Sequence, residues 1–359
     1  MNHFAFVLHP LDLGLVGVTF KEPSLLLKKY SLVKKAFEWL PSFKCAEVSN
    51  VRSSTGVELK GTLLYCPLLP EQILSLKESF VVERVISAGK IAQESGADIL
   101  GLGAYTAHVG KKGIEVKKAL NIPVTTGTHY TIHIAAESIL SAANRVGIEI
   151  GKSNVAIIGA AGGIGRVCAE IFFDKAARIT LVARNQAKIE RLVEEWSKRS
   201  KAELIIMDDL NAAMKDADIS IMATTSPNAL IDVDELKPGS LVCDVSRPRN
   251  VSKKRSDFRK DVLVIDGGIV QPPGDDVDFN LYFGLPKGLT YACMAETMIL
   301  ALEEKYESYS IGGSIKFDKV KEIGKLGDKH GFKLAKIRSF DTEVPDYIFD
   351  NIRKLHSKK

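Results

Sequence analysis

Hydrophobic and polar positions follow one rhythm up to about residue 151 and another beyond it. In the first part, a short apolar run at Phe4 to Leu8 predicts a strand, and the spacing from Leu25 to Leu40 predicts a helix. Alternating residues on either side of Ser54-Thr55-Gly56 predict a hairpin that turns there. Pro70 opens and Gly96 closes a long helical pattern over Pro70 to Ser95. The run Ile99 to Leu102 reads as a buried strand, and Tyr130 to Arg145 as a helix ended by Gly147.

From Ser153 the pattern becomes a regular alternation of short apolar runs and amphipathic stretches, which specifies a parallel, doubly wound sheet. The predicted strands are Val155 to Ile158, Ile179 to Val182, Leu204 to Met207, Ile219 to Ala223, Leu241 to Asp244 and Val262 to Ile265. After Gly288 the period is helical again, near Thr290 to Tyr309 and Lys316 to His330. The expected fold class is therefore α/β with two domains. Residues 1–151 form a mixed α/β domain for the substrate, and 152–288 a Rossmann-like sheet for a nucleotide. The helical segment 289–359 is expected to pack back across the cleft.

Composition changes this picture little. A chain of 359 residues suits two domains, each with its own core. No repeat of solenoid period or low-complexity tract interrupts it. The net charge of +5 comes partly from the tail Arg353 to Lys359, so nothing points to a nucleic-acid groove. His3, His9, Pro10 and Asp12 interrupt the apolar start, which predicts neither a signal peptide nor a transmembrane helix. Five cysteines, widely spaced and without a CxxC pair, read as free thiols in a reducing cytoplasm, and no Cys or His pair has zinc-ligand spacing, so no metal is expected.

The chemistry begins at Gly159-Ala160-Ala161-Gly162-Gly163-Ile164-Gly165, between a predicted strand and a predicted helix. Glycines there let a pyrophosphate approach the unpaired amides of the helix start. Ala161 stands where GxGxxG has its second glycine, and an ordinary tight turn would also use glycine. Arg184-Asn185 follow the second strand, where a carboxylate would select NADH and a guanidinium pairs with a 2′-phosphate, so NADPH is the expected cofactor. A surface arginine opening a helix is the plain alternative. Thr224-Thr225-Ser226 and Gly267-Gly268 fall at the carboxyl ends of later strands and are expected beside the cofactor, although simple turns would look the same.

Cys293 lies in Thr290-Tyr291-Ala292-Cys293-Met294-Ala295-Glu296. With Thr290 as cap, it falls in the first helical turn, where the dipole depresses a thiol pKa. A small buried apolar role is the default for any cysteine. Glu296, one turn on, reads as a helix-start carboxylate rather than a catalytic group. Thr128 and His129, before the helix of the first domain, are candidates for the substrate site, with His129 as proton donor or simply a capping histidine.

Gly159 to Gly165, Ala183-Arg184-Asn185, Asp266-Gly267-Gly268 and Tyr291 to Glu296 together resemble the long-chain acyl-acyl-carrier-protein reductases of cyanobacterial type, as do Leu69-Pro70-Glu71, Thr125-Thr126-Gly127 and Lys329-His330-Gly331-Phe332. The resemblance implies NADPH-dependent reduction of a fatty acyl thioester, carried by acyl carrier protein or CoA, to a fatty aldehyde. It puts Cys293 in the nucleophile's place and implies an aldehyde-consuming enzyme downstream. Gln271 to Gly288 and the order around His129 depart from that pattern. An amino-acid or shikimate-type dehydrogenase and a non-catalytic NADP-binding protein remain the alternatives.

Overall fold

In a computed structural model, residues 1–24, 28–224, 231, 233–245, 250–251 and 259–357 are described. They fall into two compact units, each assembled from separate stretches of chain. The first comprises residues 1–130, 269–314 and 322–335, and the second 131–268, 315–321 and 336–359.

The first unit is built on β1 (Asn2–Leu8), β2 (Phe43–Arg52), β3 (Glu58–Tyr65), β4 (Ile99–Leu102) and β5 (Val124–Thr125), in the order β2-β3-β1-β4-β5. Only β2 runs antiparallel to its neighbour, because the hairpin closes at Gly56, whose amide donates to Ser53 O. Helices α1 (Leu13–Thr19) and α2 (Tyr30–Trp39) share a small core of Leu13, Val16, Val33, Phe37 and Leu69. The expected helix from Pro70 to Ser95 is two, α3 (Pro70–Ser75) and α4 (Glu78–Glu94). Leu76 turns extended between them and packs against the main core with Val81, Val85 and Leu102.

Helix α5 (Thr128–Val146) begins in the first unit, and its residues from Thr131 belong to the second. There β6 (Asn154–Ile158), β7 (Arg178–Val182), β8 (Glu203–Met207), β9 (Ile219–Met222), β10 (Leu241–Asp244) and β11 (Leu263–Asp266) form an all-parallel sheet in the order β11-β10-β9-β6-β7-β8. This is the Rossmann order, whose direction reverses between β6 and β9. Helices α6 (Gly163–Phe172), α7 (Gln186–Trp196) and α8 (Leu210–Asp216) provide the crossovers from β6 to β9.

The boundaries 1–151, 152–288 and 289–359 differ from those the structure shows. Residues 269–288 join the first unit because β12 (Ile269–Gln271) pairs with β13 (Thr290–Tyr291) and β14 (Lys333–Leu334). The loop between them is tied to β2, with Ser49 bridging Asp278 and Arg52 N donating to Pro273 O. The segment 289–359 is likewise divided. Helix α9 (Ala292–Leu302) packs on β1 and β4 of the first unit. Helix α10 (Phe317–His330) is shared between the units, whereas β15 (Arg338–Ser339), β16 (Thr342–Glu343) and α11 (Asp346–His356) belong to the second. There the Arg145 guanidinium stacks 3.5 Å over Phe349. Among the described residues no helix is long and apolar enough to cross a membrane.

Candidate functional site

At the end of β6 the chain must turn at once into α6, and two glycines make the turn possible. Gly159 has φ +88°, and a Cβ there would stand 2.6 Å from Ala223 O at the end of β9. A Cβ on Gly165 would stand 2.3 Å from Gly159 O, so helix and turn touch backbone to backbone. Gly162 caps α6 and is exposed, while Ala161, Gly163 and Ile164 are half-buried. No side chain caps the helix, which leaves its first-turn amides available to an anion.

Arg184 stands exposed just beyond β7 and makes no ion pair among the described residues. Asn185 is committed to local structure, since its side chain caps α7 by accepting from Lys188 N at 2.9 Å. Thr224 follows β9 beside Gly159, while Thr225 and Ser226 lie outside the described residues. The space beside Gly267 is filled by protein, with Ala135 Cβ and Cys243 Sγ each 3.2 Å from where its Cβ would stand. Gly268 supplies a positive φ of 93°. The glycine turn, the uncapped helix and the guanidinium fit a phosphate-bearing dinucleotide.

Cys293 belongs to the other unit. Thr290 does not cap its helix: Thr290 and Tyr291 pair with Val270 and Ile269 as strand, and Tyr291 is the cap residue. Cys293 still falls in the first turn of α9 and keeps part of its surface exposed. The depressed pKa expected from the dipole is not found. Burial pushes the thiol up to about 11, with the Glu296 charge adding to this, although the backbone amides of Met294 and Ala104 pull the other way. Cys45, Cys66 and Cys168 are raised by burial too, to about 12, 11 and 12.

The loop Thr125 to Thr128 is pressed against this cysteine. Gly127 has φ +71°, and a Cβ on it would lie 2.2 Å from Cys293 Cα and 2.3 Å from Cys293 Cβ. Glu296, fully buried one turn beyond Cys293, holds the loop. One carboxylate oxygen accepts from Thr125 Oγ1 at 2.5 Å and Ser310 Oγ at 2.7 Å, and the other from Tyr130 N at 2.8 Å. Glu296 thus serves as an N-terminal cap for α5 supplied by another helix. Burial raises its pKa against the pull of these donors.

Thr128 Oγ1 lies 2.9 Å from Thr126 Oγ1. His129 is buried, with its ring edge-on to Tyr309 and its Nδ1 2.5 Å from Ser310 Oγ. The structure brings Cys293, Thr128 and His129 into one unit, around a loop whose Gly127 the sequence marked only as part of a motif, and adds Ser310 and the bonding role of Glu296, which sequence reasoning missed. A signal for Glu296 was present: it is the only charged residue in ACMAETMILAL, and a carboxylate inside an otherwise apolar helix needs partners. Among the described residues no His, Cys, Asp and Glu cluster could hold a metal.

The family model for shikimate/quinate 5-dehydrogenases matches residues 141–266, which span the parallel sheet. The aminotransferase PigE of a Serratia strain is 27% identical over 98% of this chain, which spans 42% of that protein's length. The long-chain acyl-acyl-carrier-protein reductase of Synechococcus elongatus is 27% identical over 79% of this chain and 85% of its own. Of solved structures, L-tryptophan dehydrogenase from Nostoc punctiforme aligns over 99% of this chain and 89% of its own, at 11% identity and a TM-score of 0.42. The sequence matches relate the chain to nicotinamide-nucleotide-dependent oxidoreductases at the level of class, consistent with the NADPH expected from Arg184.

Proposed function

We propose that this protein is an NADPH-dependent reductase that converts a long-chain acyl thioester, on acyl carrier protein or CoA, to a fatty aldehyde through an acyl-Cys293 intermediate. The observation that carries the reading is the setting of Cys293. Of the two cysteines that keep partial exposure, Cys45 and Cys293, both have backbone amides that favour the thiolate, but Cys45 lies within β2 and only Cys293 stands in the first turn of a helix. The similarity to the Synechococcus reductase over most of both chains supports the substrate class.

In this mechanism the Cys293 thiol loses its proton and the sulfur attacks the thioester carbonyl. The C–S bond to the carrier breaks, the carrier leaves as a thiol with that proton, and the acyl group stays on Cys293. The Met294 and Ala104 amides that favour the thiolate are the donors nearest to hand for stabilising the charge that develops there. The turn Gly159 to Gly165 would hold the NADPH pyrophosphate, Arg184 the 2′-phosphate, and Thr224 with Thr225 and Ser226 the sugar side. NADPH, when bound, supplies a hydride to the acyl carbon. Cys293 then leaves the resulting tetrahedral alkoxide as thiolate as the aldehyde C=O forms, and takes up one proton from solvent, which frees the aldehyde for a consuming enzyme.

The test is intact-protein mass spectrometry after mixing with acyl-CoA or acyl carrier protein thioesters of different chain length, without NADPH. The expected result is a mass increase equal to one acyl group, absent in Cys293→Ser, whose NADPH affinity is unchanged. Normal aldehyde production by Cys293→Ser would overturn the reading. The raised thiol pKa and the dehydrogenase family match favour a second reading, direct hydride transfer on a small amino or hydroxy acid with Cys293 structural. NADPH oxidation with such acids and none with thioesters would select it.

A further inference from the structure

We propose that the outer face of α2 docks the protein on an anionic lipid surface. The inference rests on this helix alone and stands apart from the chemistry of Cys293. The inward face of α2 is satisfied by Val33 and Phe37 in their small core. A surface helix then ordinarily turns polar residues outward. Here Leu32, Ala36 and Trp39 follow one another at helical spacing on the outside, with Leu40 just beyond, and Leu32, Trp39 and Leu40 are 65%, 74% and 45% exposed.

The charges around this stripe are mostly basic, four lysines against Glu38 on the helix itself and Glu71, which accepts from the Tyr30 hydroxyl. Lys28, Lys29, Lys34 and Lys35 make no ion pair among the described residues, and Lys35 Nζ lies 5.6 Å from the centroid of the Trp39 ring. Glu38, the one carboxylate of α2, is engaged by Gln72 Nε2 at 3.0 Å. A short helix with Leu and Trp at the centre of its exposed face and lysines around them has the composition of an interfacial helix lying along a bilayer. At ten residues α2 is about 15 Å long, half the thickness of a hydrocarbon core, so it lies on the surface and does not span it.

A second copy is the weaker occupant, because an isologous contact would set these lysines against their own equivalents. The cations are spread around a convex helix rather than aimed at one point, which suits diffuse headgroups better than a single acidic side chain.

Tryptophan fluorescence tests this cleanly. The chain has two tryptophans, and Trp196 is fully buried, so a change on binding reports Trp39. With vesicles of phosphatidylcholine and phosphatidylglycerol, emission should move to shorter wavelength and iodide quenching should fall, and the protein should co-sediment. Pure phosphatidylcholine or high salt should weaken all three. Leu32→Ser and the double variant Lys34→Glu/Lys35→Glu should each bind about tenfold or more weakly, with unchanged circular dichroism. Absence of any shift with anionic vesicles, or undiminished binding by both variants, would overturn the proposal. So would a Trp39 that stays open to iodide on vesicles but is protected by an acidic carrier protein.

Discussion

The glycine turn after β6 and the cysteine site solve a packing problem in the same way and differ in what they offer chemically. In each, a glycine lets two pieces of backbone touch: Gly165 against Gly159 in one, Gly127 against Cys293 in the other. The turn is built from one stretch of seven residues set against the ends of β7 and β9, and the groups it offers a ligand are main-chain amides. The cysteine site gathers residues 104, 125 to 130, 293, 296 and 310, and the buried Glu296 carboxylate ties Thr125, Tyr130 and Ser310 together. A local site built from backbone tolerates much side-chain change, whereas a distributed one depends on its hub.

If that contrast is right, the hub variant should do the most damage. Glu296→Ala leaves the Thr125 and Ser310 hydroxyls and the Tyr130 amide without their acceptor and opens a cavity, which should cost about 3–5 kcal/mol in thermal or denaturant unfolding. Glu296→Gln, which keeps the volume, should cost clearly less. Equal and small losses for both would break the comparison. Gly127→Ala comes next, at about 2–4 kcal/mol, because the new Cβ meets the Cys293 backbone at a positive φ. Calorimetry should show this loss, and alkylation of Cys293 should change with it.

Smaller effects test the turn. Arg184→Asp sits on an exposed residue and should leave unfolding unchanged while weakening NADPH about 10–100-fold relative to NADH, read by fluorescence titration. Unchanged NADPH affinity would remove Arg184 from the site. The smallest effect per step is a pH trend at Cys293. Since burial raises the thiol to about 11, the folded state favours the protonated form and alkylation by iodoacetamide should rise about tenfold per pH unit above neutrality. The same raised value means that stability is fully present below the unfolded-state pKa, near 8.5, and is lost as pH climbs towards about 11. Fast alkylation at neutral pH would show that the thiol is activated in the free protein.

Periodicity and punctuation alone determined a good deal. Apolar runs of four or five residues separated by helical spacing specified the six parallel strands, and Gly159 to Gly165 marked the tight turn from β6 into α6, because strand, turn and helix are properties of neighbouring residues. Tertiary structure decided what neighbours cannot. It placed 269–288 with the first unit by pairing β12 with β13 and β14, it split the helix after Ser75 by drawing Leu76 into a core, and it made Thr290 strand rather than cap. It also decided the state of Cys293: the dipole argument uses only the first turn of one helix, whereas the thiol pKa is set by everything packed around the sulfur, and there desolvation outweighs the helix start.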